Sequence, residues 1–262
     1  MAGNATATPI DLEQLAGRLD GAALAATATP QLPEGAALTP AVAYAVQALV
    51  VGKRLARGDT RTGIKMGLTS RAKMEQVNVD EVIFGQLTSG MWREEGAPVA
   101  RGDFIHPRAE PEIAFLLKKP LEGRVTIPEA VAALEAVAPA VEIIDSRYEN
   151  FRFALGDVIA DNSSSAGYVV GGFHPPHTDI ANLGIVLSVN GEARQIGSSA
   201  AILGHPLRSL VAAARMVARL GLRLNPGDIV LAGGATAAVP LAAGDHVSTE
   251  FQNIGRVQFL VR

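Results

Sequence analysis

Apolar residues recur at helical spacing through the first quarter of the chain. Leu12, Leu15, Leu19 and Leu24 form a stripe within residues 11–26, interrupted at Gly21. The proline- and glycine-bearing stretch at 27–35 reads as a linker. Thr39 and Pro40 then supply an N-cap and a proline suited to the first helical position. Ala43, Val46, Leu49 and Val50 lie on one face of the predicted helix, which should stop near Gly58. Residues 62–67 predict a short strand, and residues 70–77 a short helix capped by Ser70.

The pattern then changes period. Residues 110–117 alternate as a strand does. Residues 126–137 predict a helix and 138–144 an apolar strand, with another short strand at 167–171. Residues 206–220 make an amphipathic helix with Leu207, Leu210, Val211, Ala214 and Val217 on one face and Gly221 as its stop. A turn at 225–228 leads into the apolar "IVLAGG", and two further strands are expected around 246–251 and 256–261. The expected architecture is α+β: a helical N-terminal portion over 1–78, packed on a strand-dominated body over 79–262, as one compact unit.

Composition narrows the classes. Of 262 residues, 48% are hydrophobic and 19% charged, enough apolar material for a sizeable core. The net charge is −3, and Lys/Arg runs do not exceed a pair, which argues against nucleic acid or an anionic membrane as partner. Having no cysteine excludes a disulfide scaffold, a thiolate nucleophile and a zinc ribbon. The N-terminus carries neither a basic nor an apolar signal region, and no apolar stretch reaches the roughly 18 residues that span a bilayer. A cytoplasmic location is expected.

The candidate chemistry centres on carboxylates. In "HPRAEPEIAFLL", strand alternation puts Glu110 and Glu112 on one face, about 7 Å apart. Two like charges at that spacing call for a cation between them. Glu142 stands alone in the apolar run "AVAPAVEIID", where a carboxylate is costly unless paired or metal-bound. A buried salt bridge to Arg147 or Arg152 is one solution. A hard divalent ion shared by three glutamates is the other, since oxygen ligands without a Cys or His cluster suit Mg²⁺ or Mn²⁺. Lys65, in "IKMGLTS", is either a snorkelling surface lysine or a source of charge stabilisation and proton transfer. The loops "ADNSSS" (160–165) and "GGATAAVP" (233–240) are polar or glycine-rich and suited to presenting backbone N–H groups. No G-x-S-x-G elbow, P-loop or G-x-G-x-x-G is present.

Taken in order, "KMGLTSRAKMEQ", the E-P-E strand, "VEIIDSRYENFRF", "VIADNSSS", "LGHPLRSL" and "GGATAAVP" resemble the fumarylacetoacetate hydrolase superfamily, most of all its branch of hydratases and decarboxylases of 2-oxo-enoic acids. The resemblance runs from about residue 40 to the end. It implies a mixed β-roll with flanking helices. It implies Mg²⁺ or Mn²⁺ held by Glu110, Glu112 and Glu142, an active-site lysine at Lys65, and substrate contacts at Leu68, Thr69, Ile83, Ser163 and Thr236. The segment after the lysine lacks the histidine of the hydrolytic members. Ile83 stands where the hydratases typically carry an acid. The implied activity is therefore decarboxylation of 2-oxo-3-hexenedioate to 2-hydroxypenta-2,4-dienoate and CO₂, in meta-cleavage degradation of aromatics. Arg147 or Arg152 would orient the distal carboxylate. Hydration of 2-oxopent-4-enoate is the alternative, and a non-catalytic partner subunit of such a hydratase is the alternative of another class. The partners implied are a small 2-oxo dicarboxylic acid, further copies of the chain, and the pathway hydratase.

Overall fold

A computed structural model describes residues 11–32, 38–70, 74 and 81–262. The N-terminal portion is two capped helices. Helix α1 (Leu12–Leu24) begins at Asp11, whose carboxylate accepts the Gln14 N–H at 3.1 Å, and it buries Leu15, Ala16 and Leu19. Helix α2 (Pro40–Ala56) begins at Thr39 and buries Ala43, Tyr44, Val46 and Val50. Two parallel N–H···O bonds of 2.7 Å from Arg57 to Asp20 tie the end of α2 to α1. The expected short helix at 70–77 lies, apart from Ser70 and Met74, outside the described residues.

The body is two sheets. The larger runs in the order β2 (Ile83–Thr88), β1 (Arg61–Gly67), β10 (Ile229–Leu231), β5 (Arg108–Leu117), β6 (Leu134–Ile144), β7 (Ser165–Val170), β3 (Trp92–Arg93), with β11 (Val239–Pro240) also on β5. The smaller runs β4 (Pro98–Val99), β13 (Gly255–Val261), β12 (His246–Phe251), β8 (Gly184–Val189), β9 (Glu192–Ser198). Pairing is mixed: β1–β10, β3–β7 and β4–β13 are parallel and the others antiparallel. The long β5–β6 ladder places Glu110 directly opposite Glu142.

Strand alternation sorts this ladder into two faces. Ala109, Val141 and Ile143 meet Val247, Val257 and Phe259 of the smaller sheet. On the same face, Ile113, Phe115 and Leu117 enter the main core with the helices, including Leu210 and Val217 of α5 (Pro206–Arg219). The opposite face carries the glutamates, beside a small cluster containing Ala114, Ala138, Ala140, Tyr168 and Leu231. Helix α2 also supports the sheet through polar contacts. The Gln47 amide donates to the carbonyls of Phe84 and Ile159, both at 3.0 Å, and the Tyr44 hydroxyl accepts the Phe84 N–H at 3.2 Å.

Three expectations change. The helix expected over 126–137 is only α3 (Ile127–Ala132), opened by a Thr126–Glu129 capping box; from Leu134 the chain is already β6. Ladder hydrogen bonds with β5, beginning at Leu134–Leu117, outweigh the helix preference of its alanines. The boundary expected at residue 78 cuts through the sheet, because β1 pairs with both β2 and β10; the helical portion ends at Ala56. The β8–β9 hairpin was not expected. Its signal is Asn190-Gly191 between two strands, both residues at positive φ (54° and 80°), as a tight hairpin turn requires.

Two glycines predict opposite outcomes. A Cβ on Gly85 would overlap the backbone carbonyl of Asn162, whereas one on Gly17 in α1 would meet nothing within 4 Å. Gly85→Ala is expected to destabilise by about 1–3 kcal/mol, and Gly17→Ala to stabilise by roughly 0.5–1 kcal/mol. Thermal unfolding of the two variants measures both.

Candidate active site

The glutamates converge by register. Glu110 and Glu112 share a face of β5, Glu142 projects beside them from β6, and one oxygen of each lies within 4.8 Å of the others. Glu112 and Glu142 are fully buried and Glu110 nearly so. Lys65 reaches the same face through two ladder steps, Lys65–Leu231 and Leu231–Ala114. Its Nζ lies 3.0 Å from Glu142 Oε2 and donates to the Ser163 carbonyl at 2.9 Å. The ion pair of Glu142 is with Lys65 rather than with Arg147 or Arg152. Arg147 is instead paired with Asp161.

Like charges crowd here. Three carboxylates converge in a buried place, and Lys65 pairs with one of them, Glu142. Burial, with Glu142 and Glu110 nearby, pushes the Glu112 carboxyl well above the usual carboxylate range, against the pull of Lys65 and of the Gly233 N–H. Burial raises Glu142 as well, against Lys65. The Gly233 N–H donates to Glu112 Oε2 at 2.6 Å, while Glu112 Oε1 and Glu142 Oε1 have no hydrogen-bond partner among the described residues. Orphaned oxygens of this kind, on hard carboxylates that converge, fit a divalent cation such as Mg²⁺ or Mn²⁺.

Loops complete the site. Asn162, Ser163 and Ser164 all adopt left-handed backbone conformations (φ 50°, 54° and 57°), each disfavoured by roughly 1–2 kcal/mol for a residue with a Cβ. Their surroundings hold them there. Asn162 exchanges two hydrogen bonds with the Gln86 backbone, at 2.7 and 2.9 Å. The Ser164 carbonyl accepts the Asp145 N–H at 2.8 Å. The Arg147 guanidinium binds the Asp161 carboxylate and carbonyl and donates to the Ser165 carbonyl at 3.1 Å. This bracing aims the Ser163 carbonyl at Lys65. Gly233 is a necessary glycine: its φ is +107°, and a Cβ there would strike the Thr69 side chain.

A cavity of about 850 Å³ opens onto this face. Lys65, Leu68, Ile83, Glu110, Ser163 and Thr236 line it, so the structure brings together most of the residues picked from sequence. Thr69 is not among the lining residues: it is buried against Gly233, and its backbone carbonyl accepts the Leu203 N–H at 2.9 Å. Of the two arginines considered for the distal carboxylate, Arg152 lines the cavity while Arg147 is committed to Asp161. Sequence reasoning missed Arg108, Phe151 and Phe153, which also line it. For Arg108 the signal was available, since it precedes Glu110 by two residues and shares its face of β5.

A mixed roll with a carboxylate triad and a lysine on one face defines a family: the chain belongs to the fumarylacetoacetate hydrolases, residues 57–262 matching the family described as fumarylacetoacetate (FAA) hydrolase C-terminal. It is 54% identical over 248 residues to a 4-oxalocrotonate decarboxylase of Pseudomonas sp, covering 95% of this chain and 97% of that one. It is 35% identical to the 2-hydroxyhexa-2,4-dienoate hydratase of Comamonas testosteroni, over 88% of this chain and 89% of that one. Among solved structures, 4-oxalocrotonate decarboxylase from Pseudomonas putida G7, complexed with magnesium and adipate, superposes with a TM-score of 0.92 at 38% identity, covering 99% of this chain and 100% of that one.

Neutralising one buried carboxylate separates charge from fold. At neutral pH, Glu112→Gln is expected to raise the Tm of the metal-free protein, because it removes a carboxyl that burial and its neighbours hold well above the usual range. The same change should remove the stabilisation that added Mg²⁺ confers on the wild type. Differential scanning calorimetry with and without Mg²⁺ reads both effects; an unchanged response to Mg²⁺ would refute the metal centre.

Proposed function

We propose that the protein is a carboxy-lyase that converts 2-oxo-3-hexenedioate into 2-hydroxypenta-2,4-dienoate and CO₂. The observation that carries this reading is the buried Glu110–Glu112–Glu142 cluster with Lys65 beside it, in a chain 54% identical to a 4-oxalocrotonate decarboxylase. Glu110, Glu112 and Glu142 would hold Mg²⁺ or Mn²⁺, which when bound supplies Lewis acidity to a 2-oxo acid.

The chain's own residues do the remainder. Breaking the C5–C6 bond of the substrate releases CO₂ and leaves an electron pair at C5. That pair becomes the C4–C5 double bond, the C3–C4 pair shifts to C2–C3, and negative charge collects on the C2 oxygen. Lys65, whose ammonium lines the cavity, stabilises that oxygen and supplies the proton that makes it a hydroxyl. Glu142 and the Ser163 carbonyl keep this amine aimed. Ile83, Phe153 and Val158 line the same cavity with hydrocarbon, which favours departure of a carboxylate as neutral CO₂. Ile83 offers hydrocarbon where an acid would help deliver water across the diene, which is why hydration ranks behind decarboxylation.

A cytoplasmic location, assembly with further copies of the chain, and transfer of the short-lived dienol to a hydratase belong to this reading. Among the described residues no helix is long and apolar enough to cross a membrane.

Supplying 2-oxo-3-hexenedioate and 2-hydroxypenta-2,4-dienoate separately with Mg²⁺ tests the reading. CO₂ release from the first and little loss of the second are expected; efficient hydration without CO₂ would leave the hydratase standing, and inactivity alone with activation of a hydratase would leave the partner subunit. Lys65→Met is expected to lower kcat by roughly 10²–10⁴-fold with a smaller change in KM. A raised KM with kcat intact would make Lys65 a substrate clamp.

A further inference from the structure

The cavity's cations are not equivalent. Lys65 is engaged by Glu142 and Ser163, and Arg152 is exposed at the rim. Arg108 is half-buried in the wall. Among the described residues, the hydrogen bonds and ion pairs leave its guanidinium to the ring of Phe151, whose centroid lies 4.2 Å from Cζ. We propose that Arg108, held by Phe151, docks the substrate's distal carboxylate and so selects a dicarboxylic over a monocarboxylic 2-oxo acid. The proposal rests on the reading of the substrate as a 2-oxo diacid.

Placement carries the argument. Arg108 precedes Glu110 on the same face of β5, one alternation or about 7 Å along the strand. The carboxylate triad and this guanidinium therefore mark two ends of a line along a single strand, a separation that suits the two carboxylates of a short extended diacid. Ile144 stands directly across from Arg108 on β6 and lines the cavity too, so the docked group meets hydrocarbon on its flank. A guanidinium lying on a ring keeps its in-plane N–H groups available for a bidentate carboxylate.

Phe151 is built to hold this position. It and Asn150 adopt left-handed conformations (φ 56° and 57°), unusual for residues with side chains. Its ring is also flanked by His106, at 5.1 Å between centroids, and Phe153, at 5.8 Å. Phe151 is thus a positioning residue: it fixes the guanidinium and need not touch the reacting atoms.

The test uses the full-length, Mg²⁺-loaded protein and two probes, adipate and hexanoate, which differ only in the second carboxylate. By calorimetry, Arg108→Met is expected to weaken adipate roughly ten- to a hundredfold, the loss of a charge-assisted bidentate pair, and to leave hexanoate unchanged. Arg108→Lys should recover only part of the adipate affinity, since an ammonium lacks the planar fork. Phe151→Leu should raise KM for 2-oxo-3-hexenedioate more than it lowers kcat, with Phe151→Tyr restoring the wild-type value. Equal weakening of both acids in a folded Arg108→Met protein, or unchanged adipate binding in both Arg108 variants, overturns the proposal. Adipate binding that depends on Arg108 in a wild type that releases no CO₂ upholds the dock and rejects the decarboxylase reading instead.

Discussion

Three carboxylates gathered in one buried place are the constraint around which this protein is arranged. Glu110, Glu112 and Glu142 share one face of a curled sheet with Lys65 as their ion-pairing neighbour. Left alone, buried carboxylates respond by keeping protons, and the upward displacement of Glu112 and Glu142 is that response. A divalent cation relieves the same crowding while leaving the oxygens available for chemistry. Stability is sacrificed locally so that an electrophilic centre can sit where a 2-oxo acid can reach it.

Such a site needs a rigid frame, because misaimed charges are worse than none. The β5–β6 ladder sets the spacing of the carboxylates through backbone hydrogen bonds. Backbone groups then make the fine adjustments: the Gly233 N–H orients Glu112, and the Ser163 carbonyl orients Lys65. The Ser163 carbonyl lies in a run of left-handed residues, and the Gly233 N–H in a backbone conformation that favours glycine. The run Asn162–Ser164 stays left-handed because Arg147 grips both ends, through Asp161 and the Ser165 carbonyl, and Gln86 holds Asn162. Arg147 acts on Lys65 at a distance, through the backbone it braces. The N-terminal helices take part as well, since Gln47 of α2 joins the strand bearing Ile83 to α4 (Leu155–Ala160), which leads into that loop.

The fold and the binding cavity are then two sides of one sheet. Hydrophobic burial on one face, against the helices and the smaller sheet, secures the strands. On the other face, small residues such as Ala114, Ala138 and Ala140 stand beside the carboxylates.

Much was legible from the order of residues. Charge isolated in an apolar strand marks a site because burial makes it costly, and period-two alternation places Glu110 and Glu112 together whatever the fold around them. The cap read at Thr39 begins its helix because the interaction that makes it is local. The quoted motifs also identified the family. Pairing between distant segments was not legible. Whether Glu142 faces Lys65 or Arg147 depends on β10 lying between β1 and β5, a contact between residues more than a hundred positions apart. The early start of β6, the inclusion of β1 in the sheet and the withdrawal of Thr69 behind Gly233 likewise follow from neighbours that are close only in space. Residue types and local periods determined which side chains carry chemistry here. Long-range strand register decided which of them meet, because it is set by burying two faces of the sheet together and is not encoded in any one strand.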